Sequence, residues 1–247
     1  MKKTKELSRL SNLKLKRLEN LLSENIDYPK LIKELGFKKG LFDFRGRKMK
    51  EKFLIFAKQI QAINIHEVRV NPECKIDIPD FDDISFIAML ELQALDKDNI
   101  SVIDCIASFI SILCFKTYSK RPFDIDSIAY KSFKKIVLNQ PALDMIGLYN
   151  ALDKELKDYM EHWDKLFEKQ YIYDPDWIEA GGEKMGVFNT LTTIKSVCKD
   201  FNIPYPEAWQ LGYGIVQTNA LSKATQDKIQ HTMMNIKEKK MRAKRGE

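Results

Sequence analysis

The three histidines of the chain, His66, His162 and His231, have no second histidine or cysteine at the spacing of a zinc site. The acidic run Asp80-Phe81-Asp82-Asp83 could offer hard carboxylate oxygens to a divalent ion. It lacks the alternating ligands, central glycine and terminal glutamate of a calcium loop. Acidic residues at a helix start meet the positive end of the helix dipole, and capping is the chemistry assigned to them here. Gly181-Gly182-Glu183-Lys184-Met185-Gly186 has the glycine content of a phosphate loop. No apolar strand precedes it and no Gly-Lys-Ser/Thr follows, so it reads as a helix-breaking turn. No serine sits in a Gly-x-Ser-x-Gly elbow. Cys74, Cys105, Cys114 and Cys198 contain no Cys-x-x-Cys pair. Cys105 and Cys114 lie in an apolar helical pattern and are expected to be core thiols, which suits a reducing compartment. No catalytic residue, metal ligand or cofactor site is therefore assigned. The chain is expected to work by binding rather than as an enzyme.

Residues suited to binding are easier to find. Arg45, Arg47, Lys48, Lys50 and Lys52 follow Phe37, Phe42 and Phe44. Cations of this kind neutralise phosphates or meet an acidic partner, and aromatic rings stack on bases. The same pattern also describes the solvated face of an ordinary basic helix. Trp177 and Trp209 stand beside loops, and Phe188 follows the glycine turn. These three aromatics are candidate partner contacts, since tryptophan is enriched in interface hot spots. A tryptophan is equally able to anchor a core. The basic run 237–247 either folds on an acidic partner or stays a solvated tail.

Charge is distributed in opposed blocks. The 247 residues carry a net +6. Residues 1–70 hold 18 Lys and Arg against 8 Asp and Glu, and residues 231–247 hold 6 against 2. The stretch 71–230 is left with a net −8. Such blocks imply electrostatic contact with a partner or solvated ends. The apolar stretch 100–115 is interrupted by Ser101, Asp104, Ser108 and Ser111 and reads as too short and polar to span a bilayer. The lysine-rich start has no uninterrupted apolar core of a signal peptide. No membrane association is expected.

The elements that must position these residues are mostly helical. Leu7, Leu10, Leu13, Leu18, Leu21 and Leu22 recur at helical steps in 4–24, and a second short helix ends at Gly36. A loop then leads into a helix ending near Ala62. Residues 64–79 alternate Val68, Val70, Ile76 and Ile78 with charge around Asn71-Pro72, which predicts a short β-hairpin. Helices are predicted from Asp83 or Ser85 to about Ala94 and from Asn99 or Ser101 to about Phe115. A third starts at Asp124 or Asp126, and one led by Pro141 runs through Phe167 for over 25 residues. Further helices are expected at 185–198 and 207–217, with a polar, Lys-rich end from Ser222. The fold class is thus mostly α, a multi-helix bundle with a short β-hairpin near 64–79. Three regions are expected: a basic helical region 1–62, an acidic helical core domain 63–220, and a basic C-terminal helix or tail 221–247.

One part of the chain resembles a known group. It comprises IPDFDDISFIAMLEL (78–92), an apolar helix, NQPALDMIGLYNALDKELKDYM (139–160) and GGEKMGVFNTLTTIKSVCKDFNIPYPEAWQLGYGIVQ (181–217). In that order these segments resemble small helical assembly proteins of tailed bacteriophages, including tail-assembly chaperone-like and minor virion proteins of gut phages. The resemblance covers roughly 75–217. It implies a bacteriophage morphogenesis protein acting through protein–protein interaction, with other phage structural or tail proteins as partners. The implied location is the host cytoplasm during assembly, with the virion as the second. The alternative is a nucleic-acid-binding accessory protein using the basic N-terminal region.

Overall fold

The computed structural model describes residues 14–15, 74–95, 100–170, 179 and 189–245. Of these, 80% are helical, and no strand occurs among them. A single 3₁₀ turn, Phe81–Asp83, precedes helices α1 (Phe86–Gln93), α2 (Val102–Ser119), α3 (Ile128–Asn139) and α4 (Ala142–Glu168). Helices α5 (Asn189–Phe201), α6 (Tyr205–Gln210) and α7 (Tyr213–Arg245) follow. The mostly α expectation therefore holds. The short hairpin expected at 64–79 does not appear: 74–79 is irregular chain, and 64–73 lies outside the described residues. The alternation of Ile76 and Ile78 with charge has an unpaired cause. Ile76 is buried while its neighbours face water, which needs no partner strand.

Local chemistry explains where the helices begin and end. The Asp80 carboxylate accepts from the Asp82 N–H at 3.0 Å and starts the 3₁₀ turn, the capping role expected of this acidic run. Ser101 caps α2 by accepting from the Asp104 N–H at 3.2 Å. Lys120 ends α2 in the left-handed region, with φ 55°, and its N–H returns to the Lys116 carbonyl. The cap of α3 is Ser127, whose hydroxyl accepts from the Tyr130 N–H at 3.1 Å. Asp124, expected as a cap, instead accepts from the Asp126 N–H at 2.9 Å and builds the preceding turn. Helix α4 has 27 residues, the long proline-led helix expected. Asn202, with φ 52°, stops α5, and the Ile203 N–H returns to the Cys198 carbonyl at 3.1 Å.

The chain divides into two compact units, the first Met1–Pro79 with Leu90–Lys154 and the second Asp80–Met89 with Glu155–Glu247. The first is built on α2. Phe115 lies at ring-centroid distances of 5.7 Å from Tyr130, 6.1 Å from Phe133 and 6.2 Å from Phe123. All four rings are buried. Phe109 meets Tyr149 of α4 edge-on at 4.9 Å. The Leu15 N–H donates to the Gln140 carbonyl at 2.9 Å, and the Leu15 side chain is fully buried. Cys114 is buried in this core and Cys105 is half-buried. By length and composition α2 could cross a membrane, with a mean hydropathy of 1.5. Its 18 residues rise about 27 Å, but 61% of it is buried inside the protein, the position of a core helix.

The second unit closes around the segment Asp80–Met89. Ser85 and Gly212 form an isolated antiparallel bridge. The Phe86 N–H donates to the Leu211 carbonyl at 2.8 Å, and the Tyr213 N–H donates to the Ile84 carbonyl at 2.6 Å. This bridge sets the break between α6 and α7. The expected helix 207–217 is consequently interrupted at 211–212, and α7 then runs unbroken to Arg245.

Candidate protein-binding site

Two features of the second unit stand out, a cavity floored by close backbone approach and the free length of α7. Asp82 is placed by its turn against the start of α7. A methyl group at Gly212 would collide with the Asp82 carbonyl oxygen, and one at Gly214 would collide with the Asp82 side chain. Only glycine permits this approach at either position. Asp82 then accepts a hydrogen bond from the Tyr159 hydroxyl at 2.8 Å, joining α4 to the 3₁₀ turn.

Aromatic rings gather around that bond. Tyr159 lies 5.5 Å from Phe81, 6.1 Å from Tyr213 and 6.3 Å from Trp163, by ring centroids. Phe86 is stacked on Tyr213 at 5.9 Å and tilted against Trp209 at 5.9 Å. A cavity of about 650 Å³ opens beside this cluster. Its walls include Tyr159, Trp163, Phe201, Ile215 and Asn219, with Asp82 as its acidic residue. Phe201 and Ile215 are apolar yet exposed. A pocket of this size with aromatic and aliphatic walls suits apolar side chains.

A polar network ties α5 to α7 beside the cavity. The Lys223 ammonium pairs with Asp200 at 2.8 Å, and the Asn219 amide nitrogen donates to the same carboxylate at 2.9 Å. Ser196 contributes at 3.5 Å. The Lys223 and Asn219 hydrogen bonds hold the Asp200 carboxyl below its ordinary pKa. Farther along α7, Lys228 donates to the Lys169 carbonyl.

Beyond that point α7 faces solvent. Every residue from 229 to 244 is exposed. Ile229, Met233, Met234, Ile236 and Met241 each leave about half of their surface in water. Ile229, Met233 and Ile236 occupy i, i+4 and i+7, one face of the helix. Apolar anchors at this spacing are how a helix reads a groove.

Burial shifts several titratable groups among the described residues. Burial raises the Tyr159 and Tyr213 pKa values, so both phenols stay protonated at neutral pH. Burial also raises the pKa of Cys114 and Cys74, which keeps these thiols weak nucleophiles. His162 lies edge-on to Trp163 at 6.0 Å. Among the described residues no three of His, Cys, Asp and Glu converge to hold a metal ion.

Of the aromatics singled out in the sequence, Trp209 is half-buried and packs on Phe86, so much of its ring serves the unit itself. Trp177 and Phe188 lie outside the described residues, as do Arg45, Arg47, Lys48, Lys50 and Lys52. The apolar stripe on α7 escaped the sequence reading. Its signal was present, because the i, i+4, i+7 step sits just before the lysine-rich end, but a basic tail was the more obvious pattern. Comparison with protein-family models, with curated proteins and with solved structures finds no match.

Proposed function

We propose that this chain is a bacteriophage morphogenesis protein, a tail-assembly chaperone or minor virion component, that acts by binding other proteins rather than by catalysis. One observation carries the binding part: a helix with apolar side chains at groove-reading spacing is exposed on every side from 229 to 244. Such side chains lose contact with water only when another surface covers them, and that burial drives association. The assignment to phage assembly rests on the resemblance of 75–217. Other phage structural or tail proteins are its partners in this proposal, met in the host cytoplasm during assembly.

The test is affinity purification of the tagged full chain from phage-infected cells, followed by mass spectrometry of the captured proteins and of purified particles. Phage tail proteins are expected in the capture, and fixed copy number in particles would mark a virion component. Capture of no phage protein in either sample overturns the proposal.

A further inference from the structure

The exposed end of α7 and the cavity of the second unit are complementary in shape class and in charge. Between 228 and 245, α7 carries seven Lys and Arg and one Glu. The other described residues of the second unit, 80–89, 155–170, 179 and 189–227, carry 12 Asp and Glu and six Lys and Arg. One unit therefore holds a strongly basic protrusion and a strongly acidic body. The protrusion offers Ile229, Met233 and Ile236 on one face. The body offers an open cavity with exposed Phe201 and Ile215 on its walls and Asp82 among its lining. The next place on the apolar face, four residues after Ile236, is Lys240. The stripe is thus two turns long and ends in a cation. That pattern suits a short apolar pocket on an acidic body, whereas a bilayer surface calls for an apolar face along the whole helix.

The protrusion cannot serve its own cavity. Gly214, Ile215, Thr218, Asn219 and Ser222 of α7 itself line that cavity. Along a continuous helix Ile229 lies about 21 Å beyond Ile215. The α5 network at Asp200 and the Lys228 bond hold the first half of the helix in place. A stiff helix cannot fold back on its own side, but it can reach another molecule. Pairing two protrusions side by side would set seven cations of one copy against seven of the other, which is repulsive. Protrusion to cavity is the arrangement in which both the charges and the apolar surfaces match.

We propose that the end of α7 docks into the cavity of a second copy of this chain, head to tail. This rests on the reading of α7 as a docking element and names its occupant as another copy. A head-to-tail contact uses different surfaces on the two copies, so it repeats and builds a ring or an open series. The helix enters pre-formed, which reduces the ordering cost of binding.

The experiment is analytical ultracentrifugation of the full chain and of two variants, Ile236→Lys on the protrusion and Ile215→Lys on the cavity wall. Ile236 and Ile215 are both exposed, and circular dichroism checks that each variant keeps its helix content. The wild-type chain is expected to rise beyond the dimer mass with concentration and to fall back toward the monomer at high salt. Each variant alone is expected to stop at the monomer or lose at least tenfold in association. An equimolar mixture of the two variants is expected to form one heterodimer and nothing larger, because it contains one intact protrusion with its one intact cavity. Dimerisation of the Ile215→Lys variant alone would show that protrusions pair with each other and would overturn the proposal. A wild-type chain that stays monomeric, or a mixture that stays monomeric while the wild type assembles, would overturn it too. In each case capture of phage proteins from infected cells is read separately, so self-association can fail while the binding function stands.

Discussion

Asp82 lies against Gly212 through its backbone and against Gly214 through its side chain, and this difference sets a sharp expectation. In Gly214→Ala the new methyl displaces the Asp82 carboxylate and removes the Tyr159–Asp82 hydrogen bond. The bond is solvent-exposed, so its loss costs roughly 1 kcal/mol. Alanine within a helix returns up to about 1 kcal/mol over glycine. With the shift that the Asp82 Cβ, 2.9 Å away, must also make, Gly214→Ala is a destabilisation of roughly 1–2 kcal/mol. In an Asp82→Ala background the carboxylate is gone and only the Cβ of residue 82, 2.9 Å from the new methyl, has to give way. Gly214→Ala then costs less than in the wild-type chain, a coupling of roughly 1 kcal/mol. Gly212→Ala behaves differently, because the obstructing atom is the Asp82 carbonyl oxygen, which every residue has. Relief requires the two segments to separate. That weakens the Phe86–Leu211 and Tyr213–Ile84 backbone bonds, at roughly 1 kcal/mol each, and disturbs the rings packed behind them. Gly212→Ala is expected to cost roughly 2–4 kcal/mol, unchanged within about 0.5 kcal/mol in the Asp82→Ala background. Urea unfolding followed by tryptophan fluorescence reads this unit, which contains Trp163 and Trp209. Rescue of both glycine variants by Asp82→Ala, or of neither, would refute the reasoning.

Three further expectations concern stability. Phe115→Ala removes a buried ring from among Phe123, Tyr130 and Phe133 and should cost about 3–5 kcal/mol, read as a lowered midpoint by circular dichroism; a loss below about 1 kcal/mol would contradict the packing described. Burial pushes the Tyr130 pKa up to about 12, with Glu91 adding to the rise, so its neutral form is favoured in the folded chain. Stability from Tyr130 is then fully present below pH 10 and lost as pH rises toward 12, and Tyr130→Phe should flatten that alkaline limb. The Asp200 carboxyl is held low by Lys223 and Asn219, so its contribution is present above the usual carboxylate range and lost on acidification; Lys223→Met should make the acid limb shallower.

Much of this protein was legible in short range. Spacing and capping depend on residues within a turn or two of each other, and they sufficed for the mostly α class and for the length of α4. Ser101 could be named as one of two caps for α2, because an N-cap is a contact across three residues. Asp124 and Asp126 were misplaced as caps of α3 because acceptors two residues apart can also close the preceding turn, as Asp124 does. The opposed charges were visible as counts along the chain. No local pattern could place Tyr159 on Asp82, 77 positions away, or seat Gly212 and Gly214 against that aspartate. Those contacts form only when the segment Asp80–Met89 meets the start of α7, and they decide where α6 ends and α7 begins. Exposure was likewise beyond the sequence. Ile229, Met233 and Ile236 have the spacing of a buried helix face, and only the tertiary structure decided that this face is left open. The reason is physical: a helical period states which side chains share a side, while burial depends on what the rest of the chain brings against it.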